Sequence, residues 1–282
     1  MENLLQAVQR HTDAHGNAEG VGHTAIPGLR TVRATMPSEL LHAIPRPLLC
    51  LVLQGSKHVA IGQQGSYYRA GDALLITADV PTVSQVTQAS LAAPYLALVL
   101  ELDAALVAEL VDGGVAPLGA SDAEVADAAL RLMRLLDRPA AVPVLHRQLL
   151  RELHYWLLCG RHGVAVGRLG APPGPAQQIG RAIALLRADF ARPLPVAELA
   201  AVAAMSASSL HHHFRLQTSL SPLQFQKRLR LIEARRLMRF QAASASQAAF
   251  AVGYESVPQF TRDYGKLFGM PPVRDARSHK PH

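Results

Sequence analysis

Residues 196–273 carry one pattern twice, at an offset of fifty positions and without a gap. Leu210 and Phe214 answer to Phe260 and Tyr264, Ser206 to Ser256, Val202 to Val252 and Pro222 to Pro272. Each copy reads as a short apolar helix, a tight turn, a Ser cap and a second helix whose apolar positions recur at i, i+4 and so share one face. The pattern predicts two helix-turn-helix units.

In the first copy a helix over Val196–Ala203 leads to a turn at Ala204-Met205, and Ser206 can accept an orphan backbone N–H of the next helix. Leu210 and Phe214 then point inward, which leaves Ser208, His212 and Arg215 on the opposite side with His211 on its flank. In the second copy Gln247–Val252 is the first helix, Gly253 supplies a left-handed turn position and Ser256 the cap. Phe260, Tyr264 and Phe268 fill the inner face, and Pro258, Gln259, Arg262 and Lys266 lie outward. A helix over Ile179–Phe190 precedes the first copy, and one over Gln224–Arg239, started by Pro222, joins the two. At 1.5 Å per residue the joining helix spans roughly 24 Å. The outward faces would then stand about one DNA turn, roughly 34 Å, apart.

Charge follows the same division. Residues 1–174 hold 13 Lys/Arg against 15 Asp/Glu, whereas residues 175–282 hold 15 against 6. Basicity confined to the repeat-bearing part points to a polyanionic partner for that part, and double-stranded DNA is the polyanion that helix-turn-helix units fit. Base-reading candidates are Ser208, His211, His212, Arg215, Pro258, Gln259 and Arg262. Arg262 leads, because Arg bidentate to guanine is the commonest specific pairing; its alternative is a phosphate contact. Lys227, Arg228, Arg230, Arg235 and Lys266 are phosphate candidates. Arg236 and Arg239 add nearby charge, some of it available to pair with Glu233.

The first 160 residues have another character. Residues 1–25 read as a frayed helix and a loop. Leu48–Leu53, Lys57–Ile61, Tyr67-Tyr68 and Ala73–Ile76 are short strand-like runs punctuated by Gly, as in an antiparallel sandwich or barrel. Leu106–Val111, Ala123–Leu136 and Val144–Leu158 have helical periodicity; the stripe Leu145, Leu149, Leu153, Trp156, Leu157 can face its own domain or a second subunit. Gly160–Pro175 holds five Gly and three Pro, a composition expected to sustain neither helix nor strand. The expected class is α+β: a domain of strands and then helices over 1–160, a linker over 161–175 and an all-helical domain over 176–282.

Several functions find no support. No apolar run reaches the length of a membrane span and the first twenty residues are too polar for a signal core, so the expected compartment is the cytoplasm, with no membrane partner. Cys50 and Cys159 are too far apart in sequence for a metal knuckle and sit in apolar surroundings. His58 has no His two residues away, and His211-His212-His213 fan out by about 100° each on a helix, so neither set converges on a metal. No cofactor motif, nucleophile elbow or paired carboxylates stand in a context for catalysis, so the expectation is that the chain is not an enzyme. His58, Tyr67, Tyr68 and Tyr95 are candidate lining groups for a small ligand inside the strand domain, with ordinary core packing as the alternative for the tyrosines.

The stretches Met205–Phe214 with Leu220-Ser221-Pro222, and Ala251–Phe260 with Phe268-Gly269-Met270-Pro271-Pro272, resemble the AraC/XylS family of bacterial transcription regulators over about residues 176–277. Pro47–Gly55, the turn Tyr68–Asp72 and Pro94–Leu98 are similar to a cupin-like effector domain of that family. The resemblance implies a small barrel followed by helices, then two DNA-reading units joined by a helix. It also implies regulation near promoters through RNA polymerase, a small-molecule effector or a change of oligomer, and a homodimer. Two departures stand out: Ser219 where the family usually has Gly, and three consecutive histidines in the first reading helix. The rival is a cupin-like barrel enzyme whose basic tail binds nucleic acid without sequence preference.

Overall fold

Asn3 caps the first helix, α1 (Leu4–His15), in a reciprocal capping box with Gln6, and Leu4, Ala7, Val8 and Thr12 are buried along one side. The frayed opening expected from the sequence is thus corrected: weak periodicity conceals a capped helix that packs on the strand layer. The structure is a computed structural model that describes residues 3–115, 122–170 and 174–278. It comprises two compact units, Met1–Pro172 and Pro173–His282.

Among the described residues of the first unit, nine antiparallel strands form two sheets. One orders β1 (Val21–His23), β2 (Leu29–Ala34), β9 (Tyr95–Glu101), β4 (Leu48–Gln54) and β7 (Ala73–Ile76). The other orders β3 (Leu41–Ala43), β8 (Thr82–Gln88), β5 (Ser56–Ile61) and β6 (Gln64–Arg69). Cys50, Val52, Tyr95, Ala97 and Val99 of the first sheet share a core with Val59 of the second. The opposite face of β4 and β9, with Leu49, Leu98 and Leu100, packs under helices. Burial on both faces explains why these two strands read as continuous apolar runs rather than alternating ones.

The covering helices are α1, α2 (Ala104–Asp112), α3 (Asp122–Leu135) and α4 (Val142–Cys159). Pro143 sits in the first turn of α4, where its missing N–H costs nothing. Leu149, Leu153, Trp156 and Leu157 pack into the core of their own unit, while Leu145 remains exposed. The Gly-rich stretch also departs from expectation. It forms a short helix, α5 (Gly163–Gly167), and a 3-10 turn at Arg168–Gly170, with Val166 fully buried. Gly170 lies so close to α2 that a Cβ there would stand 2.5 Å from the Ala108 nitrogen, so this glycine serves a close approach rather than a flexible link. Residues 171–173 of the expected linker lie outside the described residues, and Pro175 already opens the next helix.

The second unit is helical: α6 (Pro175–Ala188), α7 (Val196–Ala203), α8 (Ala207–Thr218), α9 (Pro222–Phe240), α10 (Ala245–Ala251), α11 (Val257–Phe268) and α12 (Pro272–Ser278). Ser206, Ser221, Ser244 and Ser256 each accept a backbone N–H three residues on; at Ser221 and Ser244 a following Gln completes a capping box. The joining helix has 19 residues, about 28 Å at helical rise.

Candidate nucleic-acid interface

Both second helices of the repeat turn an aromatic face inward. Leu210 and Phe214 of α8 are fully buried, and the Phe214 ring meets Phe225 of α9 edge-on at 5.4 Å. Phe260 and Tyr264 of α11 are fully buried, with Tyr264 4.4 Å from Phe268. The 100° step per residue therefore delivers the other side of each helix to solvent. Ser208, His211, His212 and Arg215 are exposed on α8; Pro258, Gln259, Arg262 and Lys266 are exposed on α11. Each helix thus presents short and medium polar groups on a convex face, with donors and acceptors of the kind that base edges accept.

The turns before these helices are not identical. In the first, Ala204 is left-handed at φ 51° and the Met205 N–H closes on the Ala200 carbonyl at 3.0 Å. In the second, Gly253 is left-handed at φ 84° and the Tyr254 N–H closes on Ala249 at 2.9 Å. Equivalent turn positions are therefore 49 apart, whereas the caps Ser206 and Ser256 and the buried aromatics are 50 apart. The ungapped repeat is corrected accordingly: Glu255 is one extra residue in the second turn. Val252 thus corresponds to buried Ala203, not to Val202, which is 40% exposed.

Of the five phosphate candidates, two have other work. Arg230 gives all three guanidinium nitrogens to backbone carbonyls inside the unit. Arg235 is paired through two nitrogens with Asp275, at 2.8 and 3.1 Å, and lies over the Phe268 ring. Neither offers a guanidinium to a phosphate, so both assignments are withdrawn. Arg239 also joins Asp275, and Arg236 pairs with Glu233 at 2.8 Å. Lys227 is 3.1 Å from Asp263 yet its side chain is 42% exposed; Arg228 is half-buried, and burial pushes its pKa down. Lys266 is exposed.

Asp275 was not foreseen as a key residue. Its carboxylate is completely buried between Arg235 and Arg239 of α9 and the Tyr264 hydroxyl of α11. Burial alone would raise its pKa, but hydrogen bonds from Arg235, Tyr264 and Arg239 outweigh it and hold the group at about 2. Two arginines four apart on one helix face, in a segment with few acids, were the available signal.

The four pocket candidates do not converge. Tyr95 is fully buried in the core between the sheets, with its hydroxyl 4.0 Å from the Cys50 sulfur, and Tyr68 packs against that core. His58 and Tyr67 are a cross-strand pair on the other face of β5 and β6, their rings 4.8 Å apart. Tyr95 is therefore removed as a lining group. Tyr67 and Tyr68 do border an open cleft of about 490 Å³ with Asp72, Arg161 and His162, none of which the sequence offered as a lining group. A second cleft, about 540 Å³, lies between α2 and α4 and includes His146, Arg151 and His154 but none of the four. Among the described residues no three His, Cys, Asp or Glu side chains gather as a metal-binding group, and no helix is long and apolar enough to cross a membrane.

A strand domain with covering helices, followed by tandem helix-turn-helix units with solvent-facing second helices, defines the class. Residues 25–165 match the model of the AraC-type transcriptional regulator N-terminus, and residues 199–278 match a helix-turn-helix domain. The chain belongs to the AraC family of transcription regulators. The HTH-type transcriptional regulator GbdR of Pseudomonas aeruginosa is 34% identical over 99 residues, 35% of this chain and 27% of that protein. The HTH-type transcriptional activator RhaS of Klebsiella pneumoniae is 31% identical over 100 residues, 36% of each chain. These matches thus span about a third of the relatives' length. ToxT from Vibrio cholerae O395, solved with bound (E)-4-(8-methylnaphthalen-1-yl)but-3-enoic acid, shares the fold over 89% of this chain and 98% of its own, with a TM-score of 0.57 and 10% identity.

Proposed function

We propose that this chain is a sequence-specific, double-stranded-DNA-binding regulator of transcription that lays α8 and α11 in two successive major grooves. The carrying observation is the pair of exposed polar faces, Ser208, His211, His212 and Arg215 on one helix and Pro258, Gln259 and Arg262 on the other, each backed by buried aromatic packing. Lys227, Arg228 and Lys266 remain the phosphate candidates. The order of an effector domain, a linker and a DNA-binding domain over 176–282 is retained as part of this reading, but the boundary moves: 161–170 belongs to the first unit's fold and not to the linker expected over 161–175.

The first unit is read as the regulatory part, responding to a small molecule or to a change of oligomer. The open cleft bordered by Tyr67, Tyr68, Asp72, Arg161 and His162 supports a small-molecule ligand, with Arg161 already paired to Asp122 at 2.7 Å, and a fold neighbour solved with a bound carboxylic acid supports the same reading. A second copy of the chain and RNA polymerase are the further partners in this reading, and the cytoplasm its compartment.

The test is selection of DNA sites from a random pool by the purified full-length chain at near-physiological salt. Two short motifs about one turn apart are expected. Binding that is salt-dependent but enriches no sequence, together with turnover of a small molecule, would favour the barrel enzyme with a non-specific basic tail.

A further inference from the structure

The residue that the sequence offered as a phosphate contact joins the two halves of the reader. Arg230 lies half-buried midway along α9. Its Nε donates to the Phe190 carbonyl at 2.7 Å, and Nη2 donates to Ala191 at 3.0 Å and Arg192 at 3.1 Å. Its Nη1 donates to the Gly253 carbonyl at 2.9 Å. The first three acceptors belong to the loop between α6 and α7, in the first helix-turn-helix half; the fourth is the turn of the second half. One guanidinium thus spans both.

Three neighbours reinforce the connection. Gln226, one turn earlier on α9, donates to the Phe190 and Arg192 carbonyls at 3.0 and 2.7 Å. The Phe190 side chain packs against the hydrophobic core of the second half. Gly253 approaches the loop so closely that a Cβ would stand 1.7 Å from the Ala191 oxygen. The loop is also stiffened on its own side, where Arg192 pairs with Asp189 and Glu198. A planar fork that gives four of its five N–H donors to fixed carbonyls leaves the joining helix little freedom to let one half swing against the other.

We propose that Arg230 is a spacing determinant: it holds α8 and α11 in one mutual placement, so that the chain accepts operators with a single half-site separation. The proposal rests on reading α8 and α11 as the recognition helices, and it assigns Arg230 to positioning rather than to contact with DNA. Separation then becomes a component of specificity, because a half-site displaced by one base pair rotates about 34° around the duplex and can be reached only by breaking the Arg230 contacts or deforming the DNA.

Two measurements on the full chain test it. In the first, spin labels on cysteines introduced at exposed Ser208 and Gln259 report the separation of the two helices without DNA; the native Cys50 and Cys159 are buried. The wild-type background should give a narrow distance distribution and Arg230→Gln a broad one, with Gln226→Leu, which removes two of the supporting bonds, as a second variant should the first unfold. In the second, selected operators are rebuilt with one base pair added or removed between half-sites. The wild type should lose at least about tenfold in affinity, and Arg230→Gln should shrink that penalty to a few-fold while binding the native spacing more weakly. A broad distribution in the wild-type background, equal narrowness in both variants, or wild-type indifference to spacing would overturn the proposal. Absence of any enriched DNA site would sink the DNA reading instead, while the label distances would still decide whether Arg230 fixes the two halves.

Discussion

The two helix-turn-helix halves are built on one plan and held together by different physics. The first relies on apolar packing: Phe214 meets Phe225 edge-on, and Ile179, Ile183, Leu186 and Leu199 of the preceding helices are buried. The second adds a buried ionic knot, in which Asp275 of α12 ties Arg235 and Arg239 of α9 to Tyr264 of α11. The left-handed positions diverge as well. The first half uses Ala204 and Ser219, at φ 51° and 62°, where the second has Gly253 and Gly269. A side chain in that region costs roughly 1–2 kcal/mol, so at these two positions the first half carries local strain that the second avoids, although Ala242 before α10 is left-handed as well, at φ 54°. The difference teaches that a sequence repeat keeps the inward aromatic packing and the solvent-facing side of each second helix while leaving each half free to find its own support.

The largest expected effect breaks the ionic knot. Asp275→Ala would remove the buried carboxylate that Arg235 and Arg239 share, and a loss of about 3–5 kcal/mol is expected in urea unfolding, confined to the second unit. Phe214→Leu should cost less, about 1–2 kcal/mol, because it only trims apolar packing in the first half. Equal losses would erase the contrast.

Gly253→Ala comes next. It places a methyl against the Ala191 carbonyl at φ 84°, and the strain and overlap together should cost about 2–4 kcal/mol. Its counterpart Ala204 already tolerates a Cβ. Hydrogen exchange of the α10 and α11 amides would register the loss first.

Acid should separate the knot from the rest of the fold. The Asp275 pKa is depressed from 3.8 to about 2, so its contribution is fully present above pH 4 and disappears as pH falls through about 2. The shift corresponds to about 2 kcal/mol, and unfolding curves at pH 5 and pH 2.5 should differ less in Asp275→Ala than in the wild type. A pH dependence unchanged by the substitution would remove Asp275 from the account.

The smallest effect is a gain. Ser219→Gly relieves a left-handed serine at the end of α8, offset in part by added freedom of the unfolded chain, for a net rise of up to about 1 kcal/mol. The reverse change, Gly269→Ser, should lower stability by a similar amount. A thermal melt of each suffices.

Helix periodicity and Ser caps made most of the second unit legible from the sequence, because both are local. The bounds of α7 and the inward set Leu210, Phe214, Phe260 and Tyr264 follow from spacing alone. The one-residue slip between the turns was hidden, since Val202 and Val252 look alike as letters and differ only in where a left-handed residue places them. Arg230 and Arg235 could not be distinguished from surface arginines, because their acceptors are backbone carbonyls and an aspartate about 40 positions away. In the first unit the strands announced themselves, but Gly163–Gly170 misled: glycine composition signals a linker unless close packing, as at Gly170 against Ala108, is what requires it. Tyr95 fell to the same ambiguity, being an aromatic in a strand buried on both faces.

In the proposed function the two unequally supported halves each read bases of their own half-site. Site selection with the wild type, Arg215→Ala and Arg262→Ala tests it most directly. Arg262→Ala should flatten one base position in one motif, at a cost of about 1–3 kcal/mol, and leave the other motif intact; Arg215→Ala should do the converse. If either substitution weakened binding to every sequence alike, the two helices would be gripping the backbone and not reading bases.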